Sequence, residues 1–77
     1  MPTVLRKDGF RFFFFSNERV EPPHIHIELG EGYAKFWLEP IVLSYSVGFT
    51  SRQLSKLRNL VEENQELFKE SWHDHFN

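Results

Sequence analysis

The chain contains no cysteine among its 77 residues. This absence excludes thiol catalysis, thiolate metal sites and disulfide cross-links, and it fits a reducing compartment. Long hydrophobic runs are missing as well: no window approaches the roughly 20 apolar residues of a membrane-spanning helix, and the N-terminal segment lacks the apolar centre of a secretion signal. The sequence therefore predicts a cytoplasmic protein that does not associate with a membrane.

Net charge is small. Nine Lys and Arg stand against eleven Asp and Glu, which leaves a formal charge of −2. A protein that coats nucleic acid without sequence preference needs a clear positive excess, so the composition argues against a protein of that kind. Nucleic acid stays a possible partner that the net charge does not support. The basic residues Arg52, Lys56 and Arg58 are most simply a solvated helix face. Arg52 and Lys56 nevertheless share one side, which leaves a local contact with an acidic partner or a phosphate open.

Aromatic side chains, by contrast, are abundant: nine Phe, two Trp and two Tyr. Each ring buries a large area, which compensates for the small size of a single globular domain over residues 1–77. A domain of this size has little interior. We therefore expect some of the rings to belong to an interface with another protein.

Strand signals occupy the chain up to residue 48. Asp8 and Gly9 readily adopt the positive φ angles of a two-residue hairpin turn, and they lie between two apolar runs. Apolar runs and period-two alternation predict strands at about residues 3–7, 10–15, 24–29, 33–38 and 41–47. Because no helix intervenes, we expect an antiparallel sheet of four to five strands, an N-terminal hairpin followed by a meander.

The apolar period becomes helical after Gly48. Thr50 and Gln53 fit a capping box. The apolar residues that recur at the spacing of one helix face are Leu54, Leu57, Val61, Phe68 and Trp72. Asn64 interrupts this stripe, so one long kinked helix and two helices broken near Asn64 both explain it, and the break is favoured. The predicted fold class is α+β, with the helical part packed on one face of the sheet.

Strand alternation divides the sheet residues between two faces. We expect the helical part to cover the more apolar face, which carries Ile25, Ile27, Leu29, Ala34, Phe36 and Leu38. The opposite face then carries Arg11, Phe13, Phe15, His24, His26, Glu28, Tyr33, Lys35 and Trp37. Because protein interfaces favour aromatic residues, the predicted partner-binding residues are Phe13, Phe15, Tyr33, Lys35 and Trp37. An ordinary outer sheet face, whose rings stack on neighbouring strands, explains the pattern equally well.

His24 and His26 lie on this second face, one residue apart. Side chains two positions apart on a strand are roughly 7 Å apart, so both rings could reach one metal ion. The spacing places no third ligand, so a metal site is disfavoured and no cofactor is expected. A histidine pair with a structural hydrogen-bonding role is favoured. Since both side chains point away from Ile25 and Ile27, we expect replacement by alanine to leave the fold intact.

The same histidines allow a catalytic alternative, the metal-independent cleavage of RNA. One imidazole would act as general base and the other as general acid, while Arg11 or Lys35 stabilises the phosphorane. The tandem His-x-Thr motifs of one phosphoesterase class are absent, because position 26 is histidine where threonine would be needed. Near the C-terminus, His73 and His75 do not form a site, since on a helix they point about 200° apart.

Five segments carry a resemblance to a known family. They read MPTVLR, GFRFFFFSNE, EPPHIHI, AKFWLEP and LVEENQELFKESWHDHF, and they span nearly the whole sequence. With these motifs the chain resembles the bacterial family catalogued as domain of unknown function 4160. The resemblance implies a small protein that is often encoded beside another short protein and is regarded as a component of toxin–antitoxin-like modules. It assigns no catalytic residue.

These observations favour a protein-binding component of a two-protein module. Its partner is expected to be the product of an adjacent gene or a second copy of the chain. A small endoribonuclease and a metal-binding module, both built on His24 and His26, are the alternatives. Co-expression with the products of the flanking genes would separate these possibilities.

Overall fold

The computed structural model describes residues 3–15 and 20–76. Five strands come first: β1 (Thr3–Lys7), β2 (Phe10–Phe13), β3 (His24–Leu29), β4 (Gly32–Leu38) and β5 (Ile41–Val47). Two helices follow, α1 (Ser51–Glu63) and α2 (Gln65–Phe76). Each strand pairs antiparallel with the next, in the order β1-β2-β3-β4-β5. The α+β architecture predicted from the sequence is confirmed.

The first hairpin turns at Asp8 and Gly9, which have φ angles of 54° and 87°. Positive φ at both central positions is typical of a turn whose twist matches that of the flanking strands. The hairpin between β1 and β2 therefore follows from the Asp-Gly pair, as predicted. β2 ends at Phe13 rather than at the predicted residue 15.

A β-bulge interrupts the pairing of β4 with β5. Lys35 is opposite Tyr45, and the next residue, Phe36, is opposite Leu43. Ser44 is therefore the extra residue of β5. Because of this extra residue, Val42 and Tyr45 point to the same side of the sheet although they are three positions apart.

The core lies between one face of the sheet and the two helices. Its fully buried members from the strands and their flanks include Phe12, Phe14, Ile25, Ile27, Phe36 and Leu38, and those from the helices include Leu57, Val61 and Phe68. The rings of Phe12 and Phe68 stack with their centroids 5.2 Å apart. The helical part thus covers the face predicted to be the more apolar one.

The two helices begin and break where the sequence indicates. The hydroxyl of Thr50 accepts a hydrogen bond from the backbone N–H of Gln53 at 3.1 Å, and the Gln53 side chain accepts one from the N–H of Thr50 at 2.9 Å. This reciprocal pair is the capping box that precedes α1. Asn64 caps the C-terminus of α1, and its carbonyl accepts from Phe68 of α2 at 3.0 Å. The two-helix alternative is therefore correct.

Polar contacts hold α2 against the end of β4. The side-chain amide of Gln65 donates to the carbonyl of Leu38 at 2.7 Å. The ammonium of Lys69 lies 3.2 Å from the Glu39 carboxylate and 3.6 Å from that of Glu66. The hydrogen bond to Glu39 raises the pKa of Lys69 above its ordinary value.

Within residues 3–15 and 20–76, neither helix has the length and apolar character needed to cross a membrane.

Candidate functional site

The sheet face turned away from the core consists of three rows of residues that face each other across the strands. One row is Arg11, Glu28, Tyr33 and Val47. The second is Phe13, His26, Lys35 and Tyr45, and the third is His24, Trp37 and Val42. We call these eleven residues the open face. The structure thus brings His24, His26, Arg11, Lys35, Phe13, Tyr33 and Trp37 to one side of the sheet, as predicted, and Phe15 contacts this group.

Although both histidines lie on the face away from the core, both are buried. His24 has no exposed surface, and His26 retains only 3%. The ring of Phe13 stacks on His26 with a centroid distance of 5.5 Å, and the ring of Phe15 lies 4.6 Å from His26. Phe13 is itself buried. A partner could therefore reach little of the Phe13 side chain, whereas Phe15 is half-buried. The partner contacts of both residues stay predictions.

His24 is buried for an additional reason, its position at the first residue of β3. There its ring lies 4.9 Å from that of His26, 5.5 Å from Trp37 and 4.7 Å from Trp72 of α2. A side chain on the open face thus also contacts a helix that packs on the other face. This contact joins residues far apart in the chain.

Hydrogen bonds fix both imidazole rings. Nδ1 of His24 lies 2.9 Å from the carbonyl of Pro22. Because a carbonyl oxygen can only accept, this nitrogen carries the hydrogen. Nδ1 of His26 lies 2.6 Å from the hydroxyl of Tyr33. The structural hydrogen-bonding role favoured for the pair is therefore visible in both rings.

The two candidate cations are engaged as well. Lys35 lies 2.7 Å from the carboxylate of Glu21 and 4.5 Å from the centre of the Trp37 ring. Arg11 donates to Glu28 and to the hydroxyl of Thr3, each at 2.9 Å, and lies over the ring of Phe13 at 4.4 Å. Each cation is thus held by an acidic side chain and an aromatic ring.

Burial limits the chemistry that the two histidines can perform. A general acid or base must come within hydrogen-bonding distance of the reacting atoms, and the buried His24 and His26 are not presented to solvent. In the described ranges, no three or more His, Asp or Glu side chains converge as metal ligands. His73 and His75 are both exposed on α2.

Exposed apolar surface is concentrated on β5. Val42, Tyr45 and Val47 are 46%, 56% and 53% exposed, and they make up most of the large apolar side chains exposed in the described part of the chain. We call these three residues the β5 patch. Next to it lie Tyr33 and Trp37, both half-buried, and the rings of Tyr33 and Tyr45 are 5.9 Å apart.

Sequence reasoning missed the β5 patch because of the bulge. Simple alternation along IVLSYSV would place Val42 with Ser44 and Ser46, and Tyr45 with Ile41 and Leu43. The extra residue Ser44 brings Val42, Tyr45 and Val47 to the same face instead. The only signal in the sequence was the apolar run itself.

A single antiparallel sheet with two helices on one face and an aromatic open face on the other defines a small α+β protein. The chain belongs to the family described as Domain of unknown function (DUF4160), which matches residues 9–73. This match runs from the turn of the first hairpin into α2 and confirms the resemblance found in the sequence. No curated protein and no solved structure matches the chain.

Proposed function

We propose that this chain is a protein-binding module and one component of a two-protein, toxin–antitoxin-like bacterial pair. Its partner, the product of the adjacent gene, docks on the half of the open face formed by β4 and β5. The observation that carries this proposal is the exposed β5 patch beside Tyr33 and Trp37.

The composition of this surface suits a protein partner. Interface centres are rich in aromatic residues, and their rims are polar. Here Tyr45 and Trp37 offer rings, and Lys35, which is opposite Tyr45 in the sheet, adds a charged group paired with Glu21. A contiguous apolar patch of this kind favours binding over a plain solvated face. Compared with the sequence prediction, the docking surface moves from Phe13 towards Tyr45.

The proposal predicts that rings on the β4–β5 half carry the affinity for the partner. Trp37→Ala should weaken binding about thirtyfold, because truncation of an anchoring Trp costs about 2 kcal/mol or more. Tyr45→Ala should act in the same direction. The matched control is Leu67→Ala, which removes another exposed apolar side chain, on α2. Co-purification with the adjacent gene product, followed by titration calorimetry, measures the effect.

RNA cleavage by the same variants tests the alternative enzyme. Circular dichroism first selects the histidine variants that are folded, since His24 and His26 are buried. Cleavage that is lost in folded His26→Gln, together with partner binding that is unchanged in Trp37→Ala and Tyr45→Ala, would overturn the binding module in favour of a nuclease.

A further inference from the structure

We propose that β5 is a dimerisation strand. A second copy of the chain places its own β5 antiparallel to the first, so that the five strands of each copy form one continuous sheet. This interface lies at the edge of the sheet and goes beyond the proposed function, which concerns the open face. Strand pairing at the edge leaves that face accessible and doubles its width.

The backbone of β5 is available for this pairing. β5 is the last strand in the order β1-β2-β3-β4-β5, so β4 is the only strand paired with it in the part of the chain that the structure describes. An edge strand presents a row of backbone donors and acceptors that another strand can pair with. β5 has seven residues. Natural proteins usually keep an unprotected edge strand shorter than this.

Charge distinguishes the two edges of the sheet. The opposite edge strand, β1, carries the exposed cations Arg6 and Lys7. Residues 40–51, which include β5, form the longest segment of the chain without Asp, Glu, Lys or Arg. Edge charges are a common protection against strand pairing. The β1 edge therefore has this protection, and the β5 edge lacks it.

The lack of charge on β5 also indicates that the strand paired with its edge belongs to a second copy of the chain. In a twofold dimer, each residue meets the same strand of the other copy, so a charged residue near the axis would face a like charge. β5 carries none. Apolar residues such as Val42 and Val47, in contrast, pack favourably against the apolar residues of the other copy's β5.

Two features place the pairing at the C-terminal half of β5. The guanidinium of Arg58 donates to the carbonyl of Ile41 at 3.4 Å, at the start of the strand. The bulge at Ser44 then separates Ile41–Leu43 from Tyr45–Val47. The half that follows the bulge, Tyr45–Val47, contains Tyr45, whose ring is the largest exposed apolar group of the strand. The twofold axis therefore passes close to Tyr45.

Single-cysteine variants test this geometry directly, because the chain has no cysteine of its own. Residues directly opposite each other in an antiparallel pair have Cα atoms about 4.5–5.5 Å apart, within the range that a disulfide requires. Under mild oxidation, Tyr45→Cys should form a covalent dimer rapidly. Leu67→Cys, on the exposed side of α2, is the control and should not. Equal cross-linking of both variants would overturn the proposal.

Charge reversal tests the twofold relation. Tyr45→Lys and Tyr45→Glu should each be monomeric in sedimentation velocity, because each brings like charges together. Mixing the two variants should restore a dimer that contains one copy of each. Leu67→Lys should remain dimeric like the unchanged chain. Failure of the mixed variants to associate, or a dimer that persists in Tyr45→Lys alone, would contradict pairing near Tyr45.

Partner binding separates this inference from the proposed function. If the unchanged chain is a monomer up to its highest soluble concentration but still binds the adjacent gene product through Trp37, the dimerisation strand is wrong and the binding module stands. If it is a dimer but binds no product of a flanking gene, the dimerisation strand stands and the binding module is wrong.

Discussion

Trp72 joins three parts of the molecule through contacts of one ring. Its ring lies 5.2 Å from Phe14 after β2, 4.3 Å from Phe76 at the end of α2, and 4.7 Å from His24 of β3. Only 5% of this residue is exposed. Because dispersion contacts are individually small but numerous around a large ring, Trp72 contributes more to cohesion than its position in the last helix suggests.

Replacement of Trp72 by alanine should therefore be severe. We expect Trp72→Ala to lower the free energy of unfolding by about 3–5 kcal/mol, the usual range for a large buried ring. This loss approaches the whole stability that a domain of this size usually has. Urea denaturation followed by circular dichroism measures it. Trp37→Ala is the control, because Trp37 is half-buried and should cost less; an unfolding curve of Trp72→Ala that matches the unchanged chain would contradict the prediction.

The two histidines of β3 also belong to the packed interior, which reverses the expectation that their replacement is harmless. His24→Ala and His26→Ala should each lower the free energy of unfolding by about 2–5 kcal/mol, because each removes a buried ring from its neighbours. His26→Ala additionally deletes the contact with the Tyr33 hydroxyl. Thermal melts check both variants. His73→Ala, which changes an exposed histidine of α2, should melt like the unchanged chain. A stable double variant of His24 and His26 would show that the two rings are dispensable.

At the scale of elements, local signals decide where each element begins. The capping box of Thr50 and Gln53 satisfies backbone N–H groups that would otherwise lack a partner at the start of α1. The bulge at Ser44 similarly decides which residues of β5 face outward. The capping box has a sequence signature, whereas the bulge has none.

Thr50→Val removes the capping hydroxyl while keeping the branched shape of the side chain. We expect it to lower the free energy of unfolding by about 0.5–2 kcal/mol, the usual cost of losing a helix N-cap. Thr50→Ser retains the hydroxyl and should stay close to the unchanged chain. Denaturant titrations of the two variants compare them. If Thr50→Ser loses as much as Thr50→Val, the hydroxyl is not the stabilising group.

For the whole molecule, the fold was predictable because its signals are local. The Asp8-Gly9 turn, the alternation in β3 and the helical period after Gly48 each depend on neighbouring residues. The site was less predictable because it depends on distant ones. His24 is buried partly by Trp72, and the exposure of Tyr45 follows from a bulge defined by pairing with β4. Strand periodicity predicts the direction of a side chain but not what covers it.

The order of elements along the chain affects what happens while the protein is being synthesised. All five strands precede residue 48, and the helices that cover their apolar face come last. Hairpins form within about 10 μs, whereas a ribosome needs about 1–5 s to add residues 51–76. For that interval Phe12 and Phe36 lack the helices that later cover them. Each newly made chain therefore passes through a stage in which chaperones, or neighbouring chains on the same messenger RNA, can bind the face that later becomes the core.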